Sequence, residues 1–462
     1  STRVKKLMKI DRSDLSVYFD KRMLRILLLG IIQGFPWVII LSILNIWLKE
    51  YGVSKTTIGF SGLIFFVYSI NWIWAPLVDR INIPLLSNNI GQRKSWIMLM
   101  QLIILISLIS WTNFNPSDHL FYIILLALVI ACSSATQDIQ LDALRIEQVK
   151  EKESSALTAG AAVMVMGWYT GFKIFGGATL IISAWFESNG YQDGFPPTFI
   201  FMSIFIIFCN FLILYVPEMR LTDRNSLRFK AGQELLPNLY DKSESLTKKI
   251  IQFITDTIVT PFWDYFKKNG LYVGFAILGF LLLFKVGEAF LGRMSSIFYL
   301  EVGFSKSDIA IFSKGLGWTI DILFTFIGSL IAIKSGIIRA LIISGIAMAT
   351  TNLLFAFLAW SGPSYPLFIS AVVLDEIAGS FATVFTVIFI SMLVNRAYTA
   401  TQYALLASIA TLGRTVLSSF SGLMIDELQN DWTVFFIITT IMVLPSLILL
   451  WIIRKKIFAN SD

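Results

Sequence analysis

The chain has 462 residues, of which 56% are hydrophobic, 14% aromatic and only 15% charged. A soluble chain carries about a quarter charged residues, so this composition excludes a soluble multidomain protein and fits one that crosses a membrane many times. The formal charge of +7 sits in the chain ends and in alternate loops, a pattern of membrane topology rather than of nucleic-acid binding.

The start, Ser1 to Arg25, is basic and polar, and the apolar run after it is long enough to span rather than be cleaved as a signal peptide. A span needs about 20 apolar residues. Twelve candidates follow in order: 24–48, 56–78, 95–112, 120–142, 156–182 and 198–216, then 271–300, 306–333, 337–360, 365–393, 400–424 and 432–453. Only helices satisfy their own backbone polar groups so cheaply in lipid, so the fold class is an all-α membrane protein. The polar stretch from Pro217 to Gly270 is the only long loop and divides the spans six and six. Its second half places Leu246, Ile250, Ile251, Ile254 and Ile258 at helical spacing. That spacing predicts an amphipathic helix on the membrane surface; a partly disordered linker is the plainer reading.

Six plus six suggests the major facilitator fold, two six-helix bundles with a substrate site between them near the midplane. The expected parts are a tail (1–23), an N-terminal bundle (24–216), a linker with an amphipathic helix (217–270), a C-terminal bundle (271–453) and a second tail (454–462). Lys5, Lys6, Lys9, Arg12, Lys21, Arg22 and Arg25 precede or open the first span, the linker holds nine more Lys and Arg, and Arg454, Lys455 and Lys456 follow the last. The opposite loops hold few, among them Lys49, Lys55 and Lys306. Both termini and the linker are therefore expected in the cytoplasm.

Charges inside the spans mark the candidate site. Each costs about 2.5–3.5 kcal/mol at the bilayer centre on insertion scales, so a chain that repeats the cost is expected to line a wet cavity. Asp79 and Arg80 after the second span, with Gly91-Gln92-Arg93-Lys94 before the third, form a stretched version of the facilitator loop signature, and are expected to latch helix ends as a gate. In the fourth span Gln137 and Asp138 are followed by Asp142 and Arg145. The two carboxylates share a helix face. Asp142 and Arg145 can pair as a gate latch, while the deeper Asp138 suits proton or substrate work, or else bridges helices. In the seventh span Lys285 and Glu288 are three apart; they either open and close with substrate and couple proton uptake, or form a permanent structural salt bridge. Asp375 and Glu376 in the tenth span point about 100° apart, so one of them faces the cavity. Arg414 in the eleventh span has no local partner in sequence and suits a carboxylate or phosphate. Gly167, Gly171, Gly176 and Gly177 permit close helix packing.

Cys132 and Cys209 lie in apolar segments and suggest no disulfide scaffold; the one histidine, His119, sits in a polar loop. No metal or cofactor is expected. No phosphate-binding Walker A loop is present in the sequence, which leaves an ion gradient as the energy source. A membrane enzyme using Asp138 and Asp142 on a metal would need a second matching acidic motif, and Asp375-Glu376 copies it poorly. A ligand sensor that never transports is a third class.

Across nearly its whole length the chain resembles the AmpG-type anhydromuropeptide permeases of the major facilitator superfamily. The resemblance rests on Gly34-Phe35-Pro36 and Trp47, Trp74-Ala75-Pro76-Leu77-Val78-Asp79-Arg80, Ser134-Ala135-Thr136-Gln137-Asp138-Ile139 with Asp142, and Pro261-Phe262-Trp263-Asp264-Tyr265-Phe266. It continues in Lys285-Val286-Gly287-Glu288-Ala289-Phe290, Lys314-Gly315-Leu316-Gly317, and Thr399 to Leu406 with Gly413-Arg414. It implies proton-driven import of GlcNAc-anhydroMurNAc and its peptides across the bacterial inner membrane by a monomer. Proton coupling would fall on Asp138, Asp142, Glu288 and Asp375. Substrate binding would fall on Gln137, Lys173, Lys285, Arg293, Lys314 and Arg414, and gating on Asp79, Arg80, Arg93 and Arg145. The chain departs from the family pattern at Asn71, where a Lys is common, and at Gly167-Trp168-Tyr169-Thr170-Gly171, where an Arg is common. It gains Lys173, Arg293, Asp321 and Glu376. Another anionic solute, such as acetyl-CoA or a carboxylate siderophore, therefore stays open.

Overall fold

In a computed structural model of the protein, the structure describes residues 15–53, 62–236, 246–305 and 317–457. Every described element is helical. Among the described residues eleven helices are long and apolar enough to cross a membrane, and a shorter apolar helix stands at the second span. We label the first six α1 (Lys21–Glu50), α2 (Leu63–Ile73), α3 (Gln92–Trp111), α4 (Leu120–Glu147), α5 (Ser154–Ser188) and α6 (Phe195–Ile213). The connector holds α7 (Leu221–Leu235) and α8 (Leu246–Ile254). Then come α9 (Leu271–Ser295), α10 (Gly317–Ser335), α11 (Ile337–Ser361), α12 (Tyr365–Leu393), α13 (Arg396–Glu427) and α14 (Trp432–Ile453). This is the major facilitator fold with two six-helix bundles.

Local sequence sets the helix ends and breaks. The Asp20 carboxylate accepts from the Arg22 backbone N–H at 2.9 Å and caps α1. α2 is irregular and ends at Trp74, before a short helix Ala75–Arg80; the residue before a proline disfavours helical geometry and Pro76 lacks a donor. α9 is interrupted at Lys285, which leaves helical geometry at φ −105° and ψ 10°. α5 contains a π turn over Thr170–Ile174 that carries Lys173. Interruptions of this kind are tolerated at membrane depth where the backbone faces a polar cavity or protein.

The connector differs from expectation in its first half. The helix α7 stands where a plain loop was expected, and it docks through buried Arg224 and Arg228. In the second half, α8 runs on through a π turn (Thr255–Val259) and a further helix (Thr260–Asn269). Ile250, Ile251, Phe253, Ile254, Ile258 and Trp263 are exposed.

The apolar cores reveal how the bundles meet. Toward the face that carries the connector, one core is shared. It contains Ile26, Leu29 and Leu144 from the first bundle, and Ile277, Phe385 and Leu406 from the second. Toward the opposite face the bundles have separate cores, one around Trp47, Trp111 and Phe199, the other around Phe298, Phe355 and Phe436. The halves are welded at one face and part toward the other, with a cavity between.

Candidate functional site: a charged cavity between the bundles

The cavity has a volume of about 450 Å³. Among the described residues its wall holds six carboxylates, Asp138, Asp142, Glu288, Asp321, Asp375 and Glu376, and two cations, Lys285 and Arg414. The structure thus brings Asp138, Asp142, Lys285, Glu288, Asp375 and Arg414, which come from four different spans, to one chamber. Side chains several helices apart in sequence converge because each bundle turns its polar stripe inward and its apolar faces to lipid.

Asp142 accepts from Gln33 Nε2 at 2.9 Å and lies 3.6 Å from Arg145. Asp138 lies one turn deeper, with the Trp37 side chain as its hydrogen-bonding neighbour. Lys285 Nζ lies 3.1 Å from Glu288 and donates to Thr383 Oγ1 at 2.7 Å. The break in α9 releases the backbone at this lysine, and the pair straddles it. Asp375 accepts from Thr351 Oγ1 at 3.0 Å. The Arg414 guanidinium makes no ion pair among the described residues.

Three expected binding residues stand elsewhere. Gln137 is fully buried and donates to the Ile32 carbonyl at 3.2 Å; one residue from Asp138, it points about 100° away, into the α1–α4 contact. Arg293 is exposed, donating to Ser418 Oγ at 3.0 Å and to the Thr415 carbonyl at 3.3 Å. It is two turns beyond Lys285 and off the cavity wall. Lys173 is held by Asp321 and by Glu376, the latter at 3.2 Å. These partners come from α10 and α12, so the lysine ties the bundles together and is not free for a ligand. Lys314 lies outside the described residues.

The expected gate residues cluster at the connector face. Arg93 contacts Glu147 at 2.6 Å and Asp79 at 3.3 Å. Arg224 of α7 adds a second cation to Glu147 at 2.9 Å. Arg228 of α7 donates to the Asp79 carboxylate at 2.7 Å and to the Ala397 carbonyl at 3.1 Å. Asp79 also accepts from Thr401 Oγ1 at 3.1 Å. One carboxylate therefore joins the first bundle, the connector and α13. Arg145 donates to Ser391 Oγ at 2.9 Å, across the bundles, and its guanidinium lies 5.4 Å from the Tyr403 ring centroid. Arg80 stands apart, 4.0 Å from Asp256 of the connector. Arg396 donates to the Ile146 and Val149 carbonyls at the end of α4, the latter at 2.7 Å, where a helix terminus favours a cation.

Sequence reasoning missed Arg224, Arg228, Glu147 and Arg396. The first two are four apart on α7, and that spacing on one helix face was the available signal. It also missed Trp37, Tyr68, Trp168 and Tyr403, which line the cavity; aromatic residues in an apolar span carry no mark of which way they face.

The fold and cavity are those of a membrane transporter. The human organic anion transporter MFSD10 has the same fold at 15% identity and a TM-score of 0.60, over 93% of this chain and 99% of that one. So does the proton:xylose symporter XylE at 14% identity and a TM-score of 0.62, over 94% and 96%. No family model matches the sequence. The AmpG 4 transporter of Rickettsia felis is 32% identical over 96% of this chain and 98% of its own length. The anhydromuropeptide permease of Escherichia coli K12 is 26% identical over 96% of this chain and 82% of its own. The chain belongs to the AmpG family of transporters.

Proposed function

We propose that this protein imports GlcNAc-anhydroMurNAc and its peptides with protons across the bacterial inner membrane. The observation that carries the reading is the cavity itself, in which six carboxylates meet Lys285 and Arg414 between two bundles. The name of the Escherichia coli relative supplies the substrate class. Arg414 receives the substrate's carboxylate, and Lys285 exchanges Glu288 for it. Asp138, Asp142, Glu288 and Asp375 carry the protons. A carboxylate freed of its cation in a low-dielectric site favours its protonated form, which links substrate arrival to proton uptake. The carboxylates act in charge handling and not as ligands of a catalytic metal.

The basic face with the connector and both chain ends is cytoplasmic on this reading. The cavity then faces the periplasm, with the latches around Asp79, Arg80, Arg93 and Arg145 closing the cytoplasmic exit. Segments 24–216 and 271–453 rock against each other as a monomer, 217–270 straps them with its apolar face on the membrane surface, and the tails 1–23 and 454–462 stay in the cytoplasm.

Uptake of labelled GlcNAc-anhydroMurNAc into proteoliposomes, with and without an imposed pH gradient, tests the reading. Accumulation should need the gradient, and Asp138→Asn should abolish it in a folded, inserted protein. Full gradient-driven uptake by Asp138→Asn would remove that residue from coupling. Uptake of acetyl-CoA or a carboxylate siderophore in place of the muropeptide would replace the substrate and keep the transporter.

A further inference from the structure

Three of the four charges that this chain gains over the family pattern, Lys173, Asp321 and Glu376, meet in one triad. α5 carries Lys173 in its π turn, Thr170–Ile174, an irregularity that concentrates at functional positions in helices. The ammonium contacts Asp321 of α10 and lies 3.2 Å from Glu376 of α12. The triad therefore crosses from the first bundle to the second. Gly317 of α10 makes room for it. A Cβ there would fall 2.7 Å from Lys173 Nζ and 3.3 Å from Glu376 Oε1.

The charges in the triad do not balance. One lysine faces two carboxylates, which leaves one negative charge in excess. Among the described residues, the titratable side chains facing the triad are Tyr169 of α5, Asp375 of α12 and Glu288 of α9. The Tyr169 ring centroid lies 5.5 Å from Lys173 Nζ. None of the three is a cation, and Lys285 of α9 is committed to Glu288 at 3.1 Å. The two carboxylates also sit in different surroundings. The Asp321 side chain is only 3% exposed and accepts from Ser380 Oγ at 2.9 Å. The Glu376 side chain is 33% exposed, so it joins the wet side of the triad to the dry one.

With Lys173 between them, both carboxylates are favoured as ions. When α5 carries the lysine away, two like charges remain on α10 and α12, within one bundle. Two carboxylates that share a position cannot both stay ionised cheaply, and one takes a proton. A proton is then held more tightly with the triad open than with it closed, so by linkage protons favour opening.

We propose that the Lys173–Asp321–Glu376 triad is a proton-operated latch, which releases the two bundles from each other on the side away from the connector as the pH there falls. It rests on the transporter reading above for the direction in which the chamber opens. It adds a proton step at the chamber mouth, ahead of those assigned to Asp138, Asp142, Glu288 and Asp375, so that the acidic side of a proton gradient is the side on which the latch opens.

The test uses the full chain in nanodiscs, with Cys132 and Cys209 replaced and spin labels placed at Ser188 and Ser361, the ends of α5 and α11 away from the connector. Electron-spin distance measurements then read the gap between the bundles with no substrate present. The ratio of wide to narrow populations should rise about tenfold from about pH 8 to about pH 5. Asp321→Asn leaves Lys173 with the wetter carboxylate alone and should hold the wide form at every pH. Glu376→Gln leaves a one-to-one pair of Lys173 with Asp321 and should hold the narrow form at every pH. Distances that do not move with pH in the unsubstituted pair would overturn the latch. So would a pH response that persists in both Asp321→Asn and Glu376→Gln. Either result leaves the transport reading standing in a protein that still accumulates GlcNAc-anhydroMurNAc under a pH gradient. Absence of that uptake in a protein that widens in acid would overturn the transport reading and keep the latch.

Discussion

The two ends of the molecule close by different physics. At the connector face the bundles share one apolar core, and around it Arg93, Arg224 and Arg228 meet Asp79, Glu147 and Glu218. Each ion there has more than one partner, and the helix ends add backbone donors and acceptors. At the opposite end the apolar cores are separate. The described polar links across the bundles on that side of the chamber are fewer: Lys173 held by Asp321 and Glu376, Trp318 donating to Thr170 Oγ1 at 3.4 Å, and the Ser69 and Thr415 hydroxyls 3.0 Å apart. Apolar burial is non-directional and tolerates little separation, whereas a single ion cluster can break and re-form at modest cost when water enters. The difference identifies the connector face as the more stable seal in this conformation and the Lys173 cluster as the weaker one.

The largest expected effect comes from breaking the strong seal. Glu147→Ala leaves Arg93 with Asp79 alone and Arg224 with Glu218 alone, and losing one partner from a buried ion cluster costs up to about 3–5 kcal/mol. The melting temperature of the purified protein should fall by many degrees, while an unchanged value would show that the shared apolar core carries the seal alone. Arg228→Met acts on the strap rather than on the weld. It should cost less in melting temperature, and should raise labelling of a cysteine placed at Ser391 by a reagent supplied from the connector side. No rise would mean that α7 does not hold the bundles shut.

The weak seal should respond to a smaller change. Lys173→Met leaves Asp321 and Glu376 facing each other without a cation. A cysteine at Thr411, on the cavity wall, should then react about tenfold faster with an impermeant thiol reagent added from the far side, in a background with Cys132 and Cys209 replaced. Adding Asp321→Asn to Lys173→Met should return part of that rate. Equal rates in wild type and single variant would show that Lys173 does not gate access.

The smallest effect belongs to a surface network that touches neither seal. Arg22 pairs with Asp20 at 2.6 Å and Glu153 at 2.7 Å, all partly exposed. Its hydrogen bonds hold the Asp20 and Glu153 carboxyls below their ordinary range. Their contribution is present above the unfolded carboxylate values of about 4 and is lost as pH falls through the lowered folded values. Arg22→Ala should therefore lower stability by about 0.5 kcal/mol at neutral pH, with the gap to wild type closing in acid. A gap that persisted at pH 3 would assign the effect to packing of the arginine stem.

The all-helical membrane fold and the presence of ions inside its apolar helices could be read from the chain, because lipid forces long apolar helices and makes every ion inside them conspicuous. Which ions face one another could not. Gln137 and Asp138 are neighbours in sequence, yet one supports α1 and the other lines the cavity, since a rotation of about 100° per residue separates them. Lys173 was a candidate substrate ligand, and the fold of α10 and α12 brings Asp321 and Glu376 to it. Nothing in the chain marked which carboxylates the α7 arginines would meet; the fold brings Glu147 and Glu218 to Arg224 and Asp79 to Arg228. Composition decides the solvent in which each segment sits, a property of one helix at a time. Partnership, and with it the two unequal seals, depends on how helices far apart in the chain turn toward each other, and packing alone fixes that.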